Sequence, residues 1–313
     1  MRIFVTGGLG YVGTELSDRL LKEGHEVTIF DTGWFGQYIL EQPKLKIVKG
    51  DIRNFFLPLE GFDVVIHLAN IANDPGVELN QTLSWEVNVL ATYQVLQKAI
   101  SAGVKAFIYA SSGSVYGVSE LEKVDEETPL VPISAYNKTK MIAEQVILAS
   151  SSKIKVFNVR PATICGYSRR MRLDLAVNLL TYQALSKGEI SILGGKQFRP
   201  NIHIQDMIGV YLHFIENFNY LESGNYNAGF ENLTIEEIAE RIRSIIPANV
   251  NYRESNDNRS YRLDSSKLIK TGFNPQKGIA DAVNELKEKY GLGLLFERDE
   301  WMTVATMKKL GLG

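Results

Sequence analysis

The chain has 313 residues, of which 45% are apolar and 22% charged, and its formal net charge is −2. This composition is typical of a globular protein with two domains, or one domain with a lobe, and the charge argues against a general nucleic-acid-binding role. No apolar run is long enough to span a bilayer, and residues 1–6 fit a strand better than a signal peptide. Cys165 is the only cysteine, so we expect a cytoplasmic protein in which Cys165 is a core residue rather than a nucleophile.

The first 31 residues predict a strand, a glycine-rich turn, a helix and a second strand. Residues 2–5 form the first strand, apolar residues at helical spacing indicate a helix over 11–22, and residues 26–30 form the second strand. This order of elements is the unit that binds a dinucleotide.

Three glycines in the turn each meet a local physical need. Gly7 permits the tight turn, Gly10 lets backbone N–H groups approach a pyrophosphate, and Gly13 lets the helix pack closely against the strand. Asp31 lies 18 residues beyond Gly13, where a carboxylate accepts hydrogen bonds from a ribose and repels a 2′-phosphate. The pattern predicts an NAD site, the alternative being an ordinary structural turn.

Strands and helices continue to alternate up to about residue 160, which predicts a parallel, doubly wound sheet. Beyond Pro161 the pattern changes, although residues 225–228 could return to the main sheet. Thr234 and Glu237 form a capping-box pattern that begins a helix running to Ile246. We assign no role to the last twenty residues, which form an amphipathic C-terminal tail. The further predicted strands lie at 45–49, 63–70, 105–110 and 154–159, and the further predicted helices at 84–102, 134–151, 173–187, 207–218 and 279–290.

Tyr136 and Lys140 lie one turn apart on a predicted helix and therefore share a face. A free tyrosine has a pKa of about 10, and a nearby cation favours its phenolate. Ser112 follows a predicted strand, at the sheet edge where ligands of open α/β sheets bind. In a chain that also carries the glycine turn and Asp31, these three residues indicate a general base, Tyr136, and a hydroxyl, Ser112, that orients the substrate. Without that context, the spacing of Tyr136 and Lys140 would indicate only an exposed helix face.

These residues resemble the extended short-chain dehydrogenase/reductase family, which contains nucleotide-sugar 4-epimerases and 4,6-dehydratases. The resemblance runs almost end to end and implies a Rossmann-type α/β fold. It implies a dinucleotide-binding domain over 1–165, joined by 200–230, and a substrate-binding lobe of 166–199 and 231–313. The matching motifs are Thr6 to Gly13, Gly50-Asp51-Ile52, His67-Leu68-Ala69, Asn88, Ser111-Ser112, Val115-Tyr116-Gly117, Tyr136 with Lys140, and Arg199 with His203 and Asp206.

The resemblance also implies roles for individual residues. Tyr136 would be the general base, Lys140 would bind the nicotinamide ribose, and Ser112 would orient the sugar hydroxyl. Asp51 and Ile52 would contact adenine. No metal ion is expected, and a homodimer is expected through the helices near 84–102 and 134–151. The residues expected around NAD are Gly7, Gly10, Tyr11, Val12, Gly13, Asp31, Asp51, Ile52, Leu68, Ala69, Asn88, Tyr136 and Lys140, with Asn88 supporting the site from its helix.

The second half of the chain is suited to a nucleoside-diphosphate sugar. Arginines supply forked donors for a diphosphate, and surface solvation is the alternative for each of them. The resemblance singles out Arg199 and Arg259 as phosphate or ribose contacts and Asn178 as a contact in the substrate lobe. The remaining candidates are Arg253, Arg262 and the cluster 169–172.

Departures from the family pattern narrow the reaction. Dehydratases carry an Asp-Glu pair where this chain has Gly113 and Ser114, neither of which can act as a general acid or base, so 4,6-dehydration is not expected. Thr163 replaces an asparagine that contacts the diphosphate in well-known galactose epimerases. The run 168–178 resembles a branch linked to bacterial surface sugars, in which one member is described as a GDP-heptose 4-dehydrogenase.

We therefore predict hydride transfer between NAD and C4 of a nucleoside-diphosphate sugar, most simply a 4-epimerisation. Net 4-dehydrogenation or 4-ketoreduction is the alternative that the sequence leaves open. A non-catalytic NAD-sensing regulator is a remote alternative, since it predicts a damaged Tyr/Lys pair and both residues are present.

Overall fold

The computed structural model describes residues 1–254 and 260–313. Seven parallel strands form a central sheet. Numbered along the chain, these strands are β1 (Arg2–Thr6), β2 (Glu26–Asp31), β3 (Leu45–Lys49), β4 (Val64–His67), β5 (Ala106–Ala110), β6 (Lys155–Pro161) and β10 (Gly224–Ala228). Their order across the sheet, β10-β6-β5-β4-β1-β2-β3, confirms the doubly wound α/β prediction.

The helices cover both faces of the sheet and build its connections. The α-helices are α1 (Tyr11–Lys22), α2 (Asp74–Leu79), α3 (Gln81–Trp85), α4 (Thr92–Ser101), α5 (Ala135–Leu148), α6 (Ala176–Lys187), α7 (Ile204–Asn217), α8 (Ile235–Arg243), α9 (Ser266–Lys270), α10 (Ile279–Gly291) and α11 (Thr303–Lys309). None of the helices in the described ranges is long and apolar enough to cross a membrane.

Side chains alternate between the two faces of the central sheet. In β1, Ile3 and Val5 join a core that contains Leu16 of α1, whereas Phe4 joins the core on the opposite face, which contains Leu96 of α4. Both faces are therefore buried, which is why these strands are almost continuously apolar.

Two helix starts follow their predicted capping residues. Ser134 accepts a hydrogen bond from the Asn137 N–H before α5, and Thr234 forms a reciprocal capping box with Glu237 before α8. The predicted single helix over 84–102 is wrong in detail. It begins earlier, with α3, and a π-helical segment (Glu86–Ala91) separates α3 from α4.

A smaller lobe has its own strands and its own core. A three-stranded sheet joins β7, β9 and β11, and β8 pairs with β12 in parallel. Cys165 is fully buried in the lobe core, as predicted, and burial raises the pKa of its thiol. The strands are β7 (Thr163–Cys165), β8 (Glu189–Leu193), β9 (Phe198–His203), β11 (Glu231–Thr234) and β12 (Asn249–Arg253).

Two segments cross between these parts of the chain. Strand β10 pairs in parallel with β6, so the chain does return to the central sheet. Helix α11 packs on α2, and its Met307 belongs to the core that contains Phe4. The end of the chain therefore packs beside the central sheet, whereas the resemblance groups it with the lobe.

One ion pair is buried beneath the sheet edge. Arg160 and Glu144 are each 2% exposed at the side chain, and their closest nitrogen and oxygen lie 2.8 Å apart. Arg160 also donates to the Tyr116 hydroxyl, and Ser111 donates to Glu144. These bonds join β6, α5 and the segment that follows β5.

We predict that Arg160→Met lowers the free energy of unfolding by about 3–5 kcal/mol, because Glu144 loses its buried counter-charge. Arg19→Met is the matched control, since Arg19 pairs with Glu23 on the surface and should cost at most about 0.5 kcal/mol. Urea unfolding of the two variants measures both effects. Equal losses of unfolding free energy in the two variants would contradict a stabilising role for the buried Arg160–Glu144 pair.

Candidate active site

A large cavity lies at the carboxyl ends of the central strands. Its volume is about 1050 Å³, at the upper end of the roughly 300–1,000 Å³ typical of small-molecule sites. Its size suits two ligands side by side. The predicted residues that line it are Gly7, Gly10, Tyr11, Val12, Gly13, Asp31, Asp51, Ile52, Leu68, Ala69, Ser112, Tyr136, Lys140 and Arg199.

The glycine turn forms a cradle that side chains would fill. Gly7 has φ +71°, and a Cβ there would lie 2.6 Å from the Ala69 nitrogen. A Cβ on Gly13 would lie 2.5 Å from the Gly7 carbonyl oxygen. Contacts this short exclude any larger residue, so α1 begins as close to the end of β1 as the backbone permits.

Helix α1 begins with no side-chain cap and no acidic residue in its first turn. The first N–H groups of a helix have no partner within the helix, and they carry partial positive charge. Since Gly10, Tyr11 and Val12 line the cavity, this helix start can receive a phosphate. The cradle and the uncapped helix start together fit the diphosphate of a dinucleotide.

Asp31 lies at the end of β2, on the cavity wall. Its two carboxylate oxygens accept hydrogen bonds from the backbone N–H groups of Leu9 (3.0 Å) and Gly33 (2.8 Å). Burial raises the pKa of Asp31, and these two hydrogen bonds oppose that shift. Each oxygen keeps a second lone pair, which a ribose hydroxyl can use.

Asp51 and Ile52 line the same end of the cavity. Asp51 accepts from both the backbone and the guanidinium of Arg53. Burial raises the pKa of Asp51, but the hydrogen bonds from Arg53 outweigh it, so the net shift is downward.

Ser112 lies at the start of the 3-10 turn Gly113–Tyr116, just beyond β5. Its hydroxyl is 2.8 Å from the Ser114 hydroxyl, which accepts a hydrogen bond from Asn137 of α5. A chain of hydrogen bonds therefore links Ser112 to the helix that carries Tyr136.

Tyr136 and Lys140 project from α5 into the cavity wall. The Lys140 ammonium is 5.8 Å from the centre of the Tyr136 ring and donates to the Ala110 carbonyl at 2.7 Å. Burial lowers the pKa of Lys140 to about 7, and Glu144 opposes this shift. The lysine is therefore near its titration midpoint at neutral pH.

The comparison with protein families matches residues 3–229 to the NAD dependent epimerase/dehydratase family. The chain belongs to this family. Its members are NAD-dependent, in agreement with the cradle, the uncapped helix start and Asp31.

Relatives in the family share modest identity along most of the chain. A UDP-glucose 4-epimerase from Lactobacillus helveticus is 28% identical over 90% of this chain and 94% of its own length. An uncharacterized UDP-glucose epimerase, YtcB, from Bacillus subtilis is 30% identical over 66% of this chain and 70% of its own. A UDP-glucuronic acid 4-epimerase variant from Bacillus cereus, solved with a fluorinated UDP-sugar and NAD, superposes with TM-score 0.81. It is 25% identical and covers 93% of this chain and 100% of its own.

Two residues of this chain that were expected at the active site, Asn88 and Asn178, are not among those that line the cavity. Asn88 is fully buried, accepts from the Ile71 N–H and donates to the Thr139 hydroxyl, so it supports the loop after β4. Asn178 is also fully buried, and its amide is taken up by Gly166, Tyr11 and Arg172. The cofactor contact at Asn88 and the substrate contact at Asn178 therefore stay predictions.

The hydroxyl of Tyr11 is likewise used within the protein. It donates to the Gly166 carbonyl at 2.7 Å. Tyr11 can therefore offer a ligand its backbone N–H, at the start of α1, rather than its phenol.

The arginines expected to bind a diphosphate divide into groups. Arg199 on β9 lines the cavity. Arg169 pairs with Glu15 of α1, and Arg172 pairs with Asp174 inside the cavity wall. Arg262 stacks over the Phe198 ring at 3.5 Å, and Arg253 ends β12 in an exposed position. Arg259 lies outside the described residues.

The sequence reasoning missed one wall of the cavity. Asn73, with φ +68°, donates to Asp174, and Thr303 of the C-terminal tail also contacts that carboxylate. Met302, Thr303 and Met307 line the cavity beside α2. The only available signal was the amphipathic pattern of the tail, which did not indicate where the tail packs.

We predict that the unfolding free energy of the wild type, relative to Lys140→Met, rises between about pH 7 and about pH 9. An unfolded lysine keeps its proton up to about pH 10.4, whereas the pKa of folded Lys140 is about 7, so the unfolded state binds more protons in this range. The slope is at most about 1.4 kcal/mol per pH unit. Urea unfolding of both proteins, freed of nucleotide, measures it. A flat or falling difference would refute the burial of a titrating lysine.

Proposed function

We propose that this protein is a nucleotide-sugar 4-epimerase that removes and returns hydrogen at C4. The observation that carries the proposal is that Ser112, Tyr136 and Lys140 line the same cavity as the glycine cradle and Asp31. The 4-epimerase names of relatives that match across most of the chain support the same reaction.

The chain's own side chains supply the acid–base part of the reaction. Tyr136 takes the proton of the C4 hydroxyl as C4 is oxidised, and it returns that proton on reduction. Lys140 in its charged form stabilises the phenolate of Tyr136 and holds the cofactor ribose. Ser112 orients the reacting hydroxyl. When bound, NAD accepts a hydride from C4 and later gives it back.

The other wall of the cavity is proposed to bind the nucleotide of the substrate. Arg199, Gln197 and Tyr261 line it, and the guanidinium of Arg199 suits a diphosphate. Relatives named for UDP-sugars favour UDP over other nucleotides at this wall. We propose the lobe over 166–199 and 231–313 as the substrate-binding part.

Epimerisation is favoured over dehydration by the residues beside Ser112. Gly113 and Ser114 offer no carboxyl group, whereas removing water requires an acid and a base near C5 and C6. Net 4-dehydrogenation uses the same groups and differs only in whether the 4-keto sugar leaves before the hydride returns.

The activity is tested by incubating the purified protein with UDP-glucose, UDP-glucuronic acid and a GDP-sugar in turn. NMR follows the configuration at C4, and absorbance follows NADH in the same samples. Inversion without accumulated NADH supports epimerisation. NADH formed in proportion to oxidised sugar would establish the dehydrogenase, and no change at C4 in any sugar would refute the proposal.

We predict that Tyr136→Phe lowers turnover about 10²- to 10⁴-fold, because the general base is lost while the ring remains. Tyr109→Phe is the matched control. Tyr109 lies beside the same lysine, with the ammonium 5.0 Å from its ring centre, but it is buried outside the cavity lining. Its variant should retain turnover within about twofold. A loss below about tenfold in Tyr136→Phe would disprove the assigned base.

We also propose a cytoplasmic homodimer that pairs through α4 and α5. Leu90 and Tyr93 on the π-helical segment and α4 are 59% and 50% exposed, and Trp85 is 37% exposed nearby. Large apolar side chains grouped on one exposed helix face are typical of a subunit interface.

We predict that Leu90→Glu raises the dissociation constant of the dimer at least about tenfold, because a charge would enter an apolar interface. Tyr220→Glu is the control, since Tyr220 is 86% exposed and lies just beyond α7. Light scattering across a dilution series measures the mass of each variant. A Leu90→Glu protein as dimeric as the control would place the interface elsewhere.

A further inference from the structure

Arg170 differs from the other arginines of its cluster because no carboxylate pairs with it among the described residues. Arg169 pairs with Glu15, and Arg172 pairs with Asp174. Arg170 is 2% exposed, and its Nη1 donates only to the neighbouring carbonyl of Met171 at 3.3 Å. Its Nε is buried and has no hydrogen-bond partner in the described ranges.

The surroundings of Arg170 belong to the dinucleotide side of the cavity. Its guanidinium lies 4.2 Å from the centre of the Phe35 ring, in the loop that follows β2. Arg170, Phe35 and Asp31 all line the cavity. The segment that carries Arg170 follows β7 and lies beside the start of α1, because Ser168 donates to the Tyr11 carbonyl at 2.8 Å.

A buried cation without a counter-charge is costly, and burial lowers the pKa of Arg170 to about 10, with Arg172 adding to the shift. Asp31 and Asp174 oppose it, but neither forms a described ion pair with Arg170. A guanidinium in this position retains forked donors for an anion that is not part of the chain.

We propose that Arg170 binds the diphosphate of the dinucleotide together with the start of α1. The uncapped N–H groups of Tyr11 and Val12 would bind the diphosphate together with the Arg170 guanidinium. The stacking on Phe35 keeps the guanidinium plane fixed, so little side-chain freedom is lost on binding. This inference rests on the NAD dependence of the family and not on the identity of the sugar.

The cofactor diphosphate is favoured over two other phosphates. The substrate diphosphate is assigned to the wall of Arg199, whereas Arg170 contacts the loop after β2. A 2′-phosphate would approach the carboxylate of Asp31, which repels it.

The test compares Arg170→Met with Arg169→Met, a neighbouring arginine whose guanidinium is taken up by Glu15. Both proteins are freed of nucleotide and titrated with adenosine, AMP, ADP-ribose, NAD, NADP and UDP. Calorimetry gives the dissociation constants, and the fluorescence of Trp34, which lines the cavity, gives an independent readout. Arg170→Lys, which keeps the charge but not the fork, guards against a variant that fails to fold.

We expect Arg170→Met to weaken ADP-ribose and NAD about ten- to hundredfold, as for the loss of a hydrogen bond to a charged group. Adenosine should change less than about twofold, Arg170→Lys should fall between, and Arg169→Met should match the wild type. The proposal is overturned by ADP-ribose binding within twofold of the wild type in Arg170→Met or by an equal loss for adenosine. A loss confined to UDP, or to NADP, would assign Arg170 to the other phosphates and overturn it as well. Activity enters none of these readouts, so a failure here leaves the epimerase proposal standing.

Discussion

The close approach of α1 to the end of β1 is the constraint on which the rest of the site depends. The contact between Gly13 and the Gly7 carbonyl places the first turn of the helix at the sheet edge, with its N–H groups facing the cavity. Asp31, at the end of β2, lies on the wall of the same cavity and accepts a hydrogen bond from the Leu9 N–H of the turn. The cradle, the helix dipole and the ribose carboxylate are therefore one unit, and a methyl group at either glycine would separate them.

The opposite side of the cavity depends on charges held out of water. Helix α5 places Tyr136, Lys140 and Glu144 along one side, one turn apart. Glu144 is buried against Arg160, which ties the helix to β6, and its charge opposes the loss of the proton from Lys140. Burial lowers the pKa of Lys140 to about 7, and the paired carboxylate of Glu144 keeps it from falling further. Because both residues are on α5, the charge of the Lys140 ammonium stays at a fixed distance from the Tyr136 ring.

The cavity is closed by parts of the chain that are distant in sequence. Asp174 joins Arg172, Asn73 and Thr303, so three separate segments meet at one carboxylate. The C-terminal tail forms the wall next to α2.

The local sequence pattern determined many of the helices and strands, because the spacing of apolar residues and the capping residues depend only on neighbours in the sequence. The boundaries of α1 and β3 agree with the sequence pattern, and Ser134 and Thr234 cap their helices as expected. The glycine turn and the Tyr136/Lys140 spacing located the site, because each function needs specific residues close in sequence. Only tertiary packing decided the partners of similar side chains. Arg169, Arg170 and Arg172 are close in sequence, yet Arg169 contacts α1, Arg170 faces the cavity beside Phe35, and Arg172 pairs with Asp174. The partner of a long charged side chain is set by segments that fold against it from far along the chain, and no local pattern records those contacts.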